Sequence, residues 1–320
     1  MNDPAPTDPA PPAPTPVPLP VPAPVSAPGD APATPGILRR AARSLLHDIP
    51  ALLSVSVLVL LAVAALAAPL LAPHDPLQTF AEGLSDRGGP AGPSGDFPLG
   101  ADPNGRDVLS RLLYGARVSL TIGVLANGLA TLLGVTVGLV AGYFGGWVES
   151  VLMRITDIVM SFPILLFCIV LIAITGPSRR NVILVIAFIY WTALARVIRG
   201  LVLSLKEREF ITATLTLGVG RGRIILRHIL PHLVPAIIVY TTLGVASSIL
   251  IEASLSFIGV GVPVPDPSWG QMIADGRKYY EIAPWLLFTP GICLIVTVLA
   301  FNLAGDWLRD LLDPTAPHPR

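Results

Sequence analysis

Six apolar runs, each about the 20 residues that a helix needs to cross a bilayer, leave this 320-residue chain few alternatives to a polytopic, all-α membrane fold. The runs cover residues 50–72, 118–140, 157–175, 181–199, 235–260 and 284–305. Hydrocarbon offers backbone N–H and C=O groups no partners, so each run predicts a transmembrane helix. Only 13% of the residues are charged, against about 25% in a soluble domain, so lipid is the main solvent. The fourth run ends at Arg196 and Arg199, whose aliphatic stems let their guanidinium groups reach the headgroups.

Residues 1–36 contain 14 prolines, too many for a helix or a core, and predict a solvated, disordered tail. The tail lacks the basic start and apolar centre of a secretory signal. Arg39, Arg40 and Arg43 precede the first run, which suits an uncleaved anchor with a cytoplasmic N-terminus. Six spans then return the C-terminal tail, 307–320, to the cytoplasm. In this topology 13 of the 21 basic residues lie inside and most loop acids outside. Residues 37–97 form the anchor helix and external loop, 98–117 an external amphipathic segment, and 118–306 the core.

The loop between the fourth and fifth runs is patterned. KEREFITATLTLGVGRGRIILRHILPHLVP, residues 206–235, reads as helix, glycine turn, helix, with Pro231 and Pro235 as stops. The charge assignment makes it cytoplasmic, and its regularity marks it as a docking element. On the other side, residues 104–120 read as an amphipathic surface helix. Its apolar face is Val108, Leu109, Leu112 and Leu113; Arg106, Asp107 and Arg111 are its polar residues. That helix is either an interfacial anchor or a contact surface for an extracytoplasmic partner. Gly134, Gly138 and Gly142 recur every four residues and make a flat face for a close neighbour, within this chain or in a second subunit.

Chemistry is hard to find. No G-x-x-x-x-G-K-[ST] loop is present, and neither Lys206 nor Lys278 sits between a strand and a glycine-rich turn, so the chain is not expected to hydrolyse nucleotides. His228 and His232 share a helix face but lack the glutamate of a zinc site, so no metal or other cofactor is expected. The neutral net charge argues neither for nor against nucleic acid, and outside the 206–235 loop there is no basic stripe with interleaved aromatics, so no nucleic-acid partner is expected. Arg154 and Asp157 are placed to pair on one helix face. Glu252 is the one acid deep in a run, among Ser247, Ser248, Ser254 and Ser256, and reads as a gating or pore residue or as a bridge to another helix. A secondary transporter would want more acids at mid-membrane, and a channel a filter motif.

Five blocks, in order, carry a resemblance over residues 38–314. They are PLGADPNGRDVLSRLLYGARVSL from Pro98, AGYFGGWVESVLMRITDIVMSFP from Ala141 and RHILPHLVP from Arg227, then EASLSFIGVGVPVPDPSWGQMI from Glu252 and APW with FNLAGDWLRDLLDP from Ala283. Together they resemble the C-type membrane permease subunit of ATP-binding-cassette importers for dipeptides and oligopeptides. The resemblance implies a type I importer core at 118–306 in a prokaryotic cytoplasmic membrane. Its implied partners are a second, B-type permease, two ATPase subunits and an extracytoplasmic solute-binding protein. Related permeases for nickel chelates, glutathione or opine-like solutes, or a non-transporting scaffold, are the alternatives. The 206–235 loop resembles the family's ATPase-coupling loop, whose pattern is Glu-Ala-Ala with a glycine four residues on. Here Thr212, Ala213, Thr214 and Gly218 occupy those places, and the usual glutamate is missing. Glu207 or Glu209 is placed to supply the acidic contact, and Arg221, Arg223 and Arg227 to meet an acidic surface.

Overall fold

The computed structural model describes residue 41, residues 44–85 and residues 88–312, without the side chains at 212 and 215. The tail expected at 1–36 and residues 313–320 lie outside the described residues. Among the described residues the regular structure is helical, with two isolated β-bridges in the loop before residue 108.

Helical residues 44–47 precede α1 (Ile49–Leu66) and the short α2 (Ala68–Leu71). Asp48 caps α1 by accepting the Ala51 N–H at 3.0 Å, with Pro50 in the first turn where no amide is needed. Next come α3 (Val108–Phe144), α4 (Gly146–Met160), α5 (Ile164–Thr175) and α6 (Arg179–Lys206). The short α7 (Glu209–Thr216) and α8 (Arg221–Ile224) follow, then a π turn at Ile225–Ile229 that leads into α9 (Leu230–Ile258). Finally α10 (Trp269–Gly276) precedes α11 (Trp285–Leu312). Among the described residues, five helical stretches are long and apolar enough to cross a membrane, and α4 with α5 makes a sixth only as a pair bent by 91°.

Three sequence expectations change. The surface helix at 104–120 is not separate: Val108–Leu113 forms the first turns of α3, which runs unbroken for 37 residues. Asp107 starts that helix by accepting the Ser110 N–H at 2.8 Å, and nothing between 113 and 118 interrupts it. The span expected at 157–175 breaks at 161–163, because Pro163 offers no N–H and pushes the residue before it out of the α region. Pro231 and Pro235 do not stop a helix. Pro231 sits in the first turn of α9 and Pro235 inside it. The π turn just upstream shifts the hydrogen-bond spacing from four residues to five, which accommodates a missing proline amide.

Lipid tails are as apolar as leucine, so helices in a bilayer associate through close packing rather than through escape from water. The glycine face of α3 does this against α6. A Cβ added at Gly134 would stand 2.7 Å from the Trp191 carbonyl oxygen, one at Gly138 2.6 Å from that of Ala195, and one at Gly142 2.8 Å from Val202 Cβ. The face therefore serves intramolecular packing. Polar contacts join α3 to α9, with Asn127 Nδ2 donating to the Thr241 carbonyl at 2.6 Å. α1 and α9 both pack on α11. Buried Ile122, Cys168, Ile172, Ile186 and Leu255 form the central core from α3, α5, α6 and α9. One further apolar cluster closes each end of the bundle.

Candidate functional site

The 206–235 segment closes the end of the bundle where α3 finishes. Lys206 Nζ donates to the Tyr143 carbonyl at 2.8 Å, satisfying one of the unpaired carbonyls at the C-terminus of α3. Its chain then leaves α6 and turns through α7, which ends at Gly218 with φ +73°. That left-handed conformation suits glycine and explains why the glycine stands there. Thr214 Oγ1 donates to the Ile211 carbonyl at 2.7 Å, so its hydroxyl is used inside α7. Thr212 is helical, and its side chain lies outside the described residues.

Burial sorts this segment into two faces. Ile211, Ile224 and Ile229 are fully buried against Leu139, Leu194, Ile198 and Val202 of α3 and α6. Phe210 stacks on His232 at 5.4 Å between ring centroids, which ties α7 to α9. Facing outward are Glu207, Glu209, Ala213, Gly218, Arg221, Arg223 and Arg227, together with Leu217 and Leu226, which are 81% and 66% exposed. The segment thus has an apolar anchor on its inner face and a mixed apolar and charged outer face.

Glu252 occupies a different environment. It is wholly buried and accepts from Ser256 Oγ at 2.7 Å and Ser119 Oγ at 3.0 Å. Those hydroxyls accept in turn from the Val262 N–H at 3.2 Å and the Trp269 N–H at 3.3 Å. Glu252 thus bridges α3, α9 and the loop that carries α10. The bridge reading fits this geometry, and a side chain without exposed surface does not line a pore. Ser254 donates to its own helix at Leu250, and Ser247 makes a long 3.5 Å contact with the Leu243 carbonyl.

At the opposite end, Arg106, Asp107 and Arg111 are buried rather than displayed. Asp102 receives Arg106 Nε at 2.7 Å and Arg111 Nε at 3.3 Å, and Arg111 Nη1 donates to the Pro76 carbonyl at 3.2 Å. Asp107 accepts from Ser110 Oγ at 2.5 Å, and Ser110 Oγ accepts the His74 N–H at 3.0 Å. These residues knit loop 73–107 to the head of α3. Their side chains are spent internally, which leaves them little to offer a partner.

One charged cluster joins residues that lie far apart in sequence. Asp157 pairs with Arg196 of α6, 39 residues away, instead of with Arg154. One turn further along α6, Arg199 pairs with Glu149. The two ion pairs line an open cavity of about 560 Å³ between α4 and α6, together with Ser150 and Met153. The basic end of the 181–199 run was the available signal. The partner acids lie on α4, and no local spacing connects them to it.

The family described as binding-protein-dependent transport system inner membrane component matches residues 134–316. A second family, the N-terminal TM domain of oligopeptide transport permease C, matches residues 36–89. A dipeptide transport system permease protein of Alkalihalophilus pseudofirmus is 44% identical over 70% of this chain and 73% of its own length. A glutathione transport system permease protein of Pectobacterium atrosepticum is 42% identical over 70% and 74%. An oligopeptide transport system permease protein of Haemophilus influenzae is 41% identical over 68% and 70%. Among solved structures, an inward-facing methionine ABC transporter chain has a TM-score of 0.52 at 18% identity, covering 63% of this chain and 96% of that one. At that identity the likeness concerns the fold.

Proposed function

This chain belongs to the inner-membrane components of binding-protein-dependent transport systems, and from that membership we propose that it is the C-type permease of an ATP-driven importer for dipeptides or oligopeptides. The cargo follows the named dipeptide and oligopeptide relatives. The 42% identity to a glutathione permease keeps that tripeptide as a second cargo of similar chemistry. The implied assembly joins this chain to a B-type permease, two separate ATPase subunits and an extracytoplasmic solute-binding protein in a prokaryotic cytoplasmic membrane. The bias of basic residues supports cytoplasmic N- and C-termini.

The observation that carries the reading is the two-faced 206–235 segment. Its inner face is fixed to α3 and α6 by Ile211, Ile224 and Ile229, so a push on its outer face is transmitted to membrane helices instead of being absorbed by a slack loop. Glu209, in the first turn of α7 where an acid also favours the helix dipole, supplies the acidic contact that Thr212 does not. Arg221, Arg223 and Arg227 meet acidic surface on the ATPase. Co-expression of the four membrane-associated subunits, followed by uptake and ATPase assays in proteoliposomes, tests this. Glu209→Ala is expected to lower both peptide uptake and binding-protein-stimulated ATP hydrolysis while the complex still assembles. Unchanged values for both would remove Glu209 from the coupling contact, and failure to co-purify with any ATPase would sink the transporter reading.

A further inference from the structure

Charged side chains in membrane-spanning helices are costly where they face lipid. Asp157 and Arg196 are nevertheless 52% and 47% exposed at the side chain, and Glu149 and Arg199 are 21% and 35% exposed. α4 also shows which way it faces. Trp147, Val151, Ile155 and Ile158 make an exposed apolar stripe at helical spacing, while Glu149, Ser150, Met153 and Asp157 turn to the cavity shared with α6. The helix therefore separates an apolar environment from a polar one. About 560 Å³ lies within the range of about 300–1,000 Å³ that small-molecule sites occupy.

We propose that this groove between α4 and α6, lined by the Asp157–Arg196 and Glu149–Arg199 pairs, is a transit site for zwitterionic solutes such as short peptides with free termini. The inference rests on the importer reading given above. Its logic is an exchange of partners. In the empty groove each charge is neutralised by its neighbour. An entering ammonium group takes the place of an arginine on one carboxylate, and an entering carboxylate takes the place of an acid on one guanidinium. A solute with both signs therefore leaves no charge stranded, whereas a neutral solute breaks a pair without replacing it. Arginine is suited to the carboxylate end because its planar fork holds both oxygens. Because the resident charges sum to zero, neither sign of ligand is held by a net field, which suits passage rather than storage. The groove lies toward the end where Lys206 meets Tyr143, beside the docking segment.

The test uses the assembled transporter in proteoliposomes, with the photoreactive residue p-benzoylphenylalanine at position 153 and a radiolabelled dipeptide carried by the binding protein. Irradiation during ATP turnover is expected to label this chain, and excess unlabelled dipeptide to abolish the label. Asp157→Asn and Arg196→Gln should each cut both the label and peptide flux about tenfold or more, since each removes the charge that one terminus of the peptide would pair with. A probe at position 155, on the apolar stripe, should take up no peptide. Peptide uptake without label at 153, or a cross-link from 153 to another protein chain in place of the peptide, overturns the groove alone. If no peptide is taken up at all, the cargo reading falls and the groove falls with it.

Discussion

Replacing Glu252 by alanine should loosen the segment that carries α10 more than any single contact there suggests. The carboxyl is the shared acceptor of Ser256 Oγ at 2.7 Å and Ser119 Oγ at 3.0 Å, and those hydroxyls hold the Val262 and Trp269 amides. Removing it leaves two buried donors without an acceptor, at about 1–3 kcal/mol each. Hydroxyl rotation recovers part of that, so the net loss is about 2–3 kcal/mol. Every 1.4 kcal/mol is tenfold, so local opening should become about thirtyfold or more easier. Hydrogen exchange on the complex in lipid nanodiscs reads this directly at the Val262 and Trp269 amides. Glu252→Gln keeps one acceptor oxygen and strands one hydroxyl, so it should accelerate exchange by about half as many powers of ten. If Glu252→Ala exchanges like wild type at these two amides, the bridge is not what holds the segment. If the glutamine variant is as loose as the alanine one, the acceptor count is the wrong explanation.

Three further outcomes are expected. Gly218→Val should lower uptake while leaving insertion and expression intact, because a β-branched residue at φ +73° costs about 1–3 kcal/mol; normal uptake would show that the turn does not depend on glycine. Gly138→Ala would place a methyl 2.6 Å from the Ala195 carbonyl oxygen, forcing α3 and α6 apart at a cost of about 1–3 kcal/mol. Its thermal unfolding in nanodiscs should come several degrees early, whereas Gly128→Ala, which meets nothing within 4 Å, should be neutral or stabilising. Asp102→Ala would leave Arg106 buried without its carboxylate and Arg111 with only the Pro76 carbonyl and the attraction of Asp275, costing about 3–5 kcal/mol. The yield of folded complex on size-exclusion chromatography should then fall sharply, and an undiminished yield would mean that water already serves these arginines.

What was legible in the chain was whatever depends on one segment at a time. Run length located five of the six expected spans, because a bilayer imposes the same length on each; the sixth, at 157–175, is broken by a bend. The glycine string at 218–222 and the isoleucines around it located a glycine turn and a buried helix face, because a turn and a helix face are local matters. Arg111 shows where this stops. Read alone, an arginine ahead of an apolar run marks a polar surface and a helix boundary. In the fold, Asp102 and the Pro76 carbonyl neutralise it, and the helix continues straight through.

Asp157 makes the same point for function. Its nearest basic residue in sequence is Arg154, three places away on the same helix. The bend at 161–163 and the close approach of α3 to α6 bring Arg196 within reach, and that pairing opens the charged groove. The glycine face that permits the approach was visible at 134, 138 and 142, but its partner helix was not, because a flat face accepts any flat neighbour. The docking role proposed for residues 206–235 therefore rests on one segment's own pattern. The groove exists only once α3, α4 and α6 are assembled, so a substitution such as Gly138→Ala, which parts α3 from α6, should disturb the groove while leaving the pattern of α7 untouched.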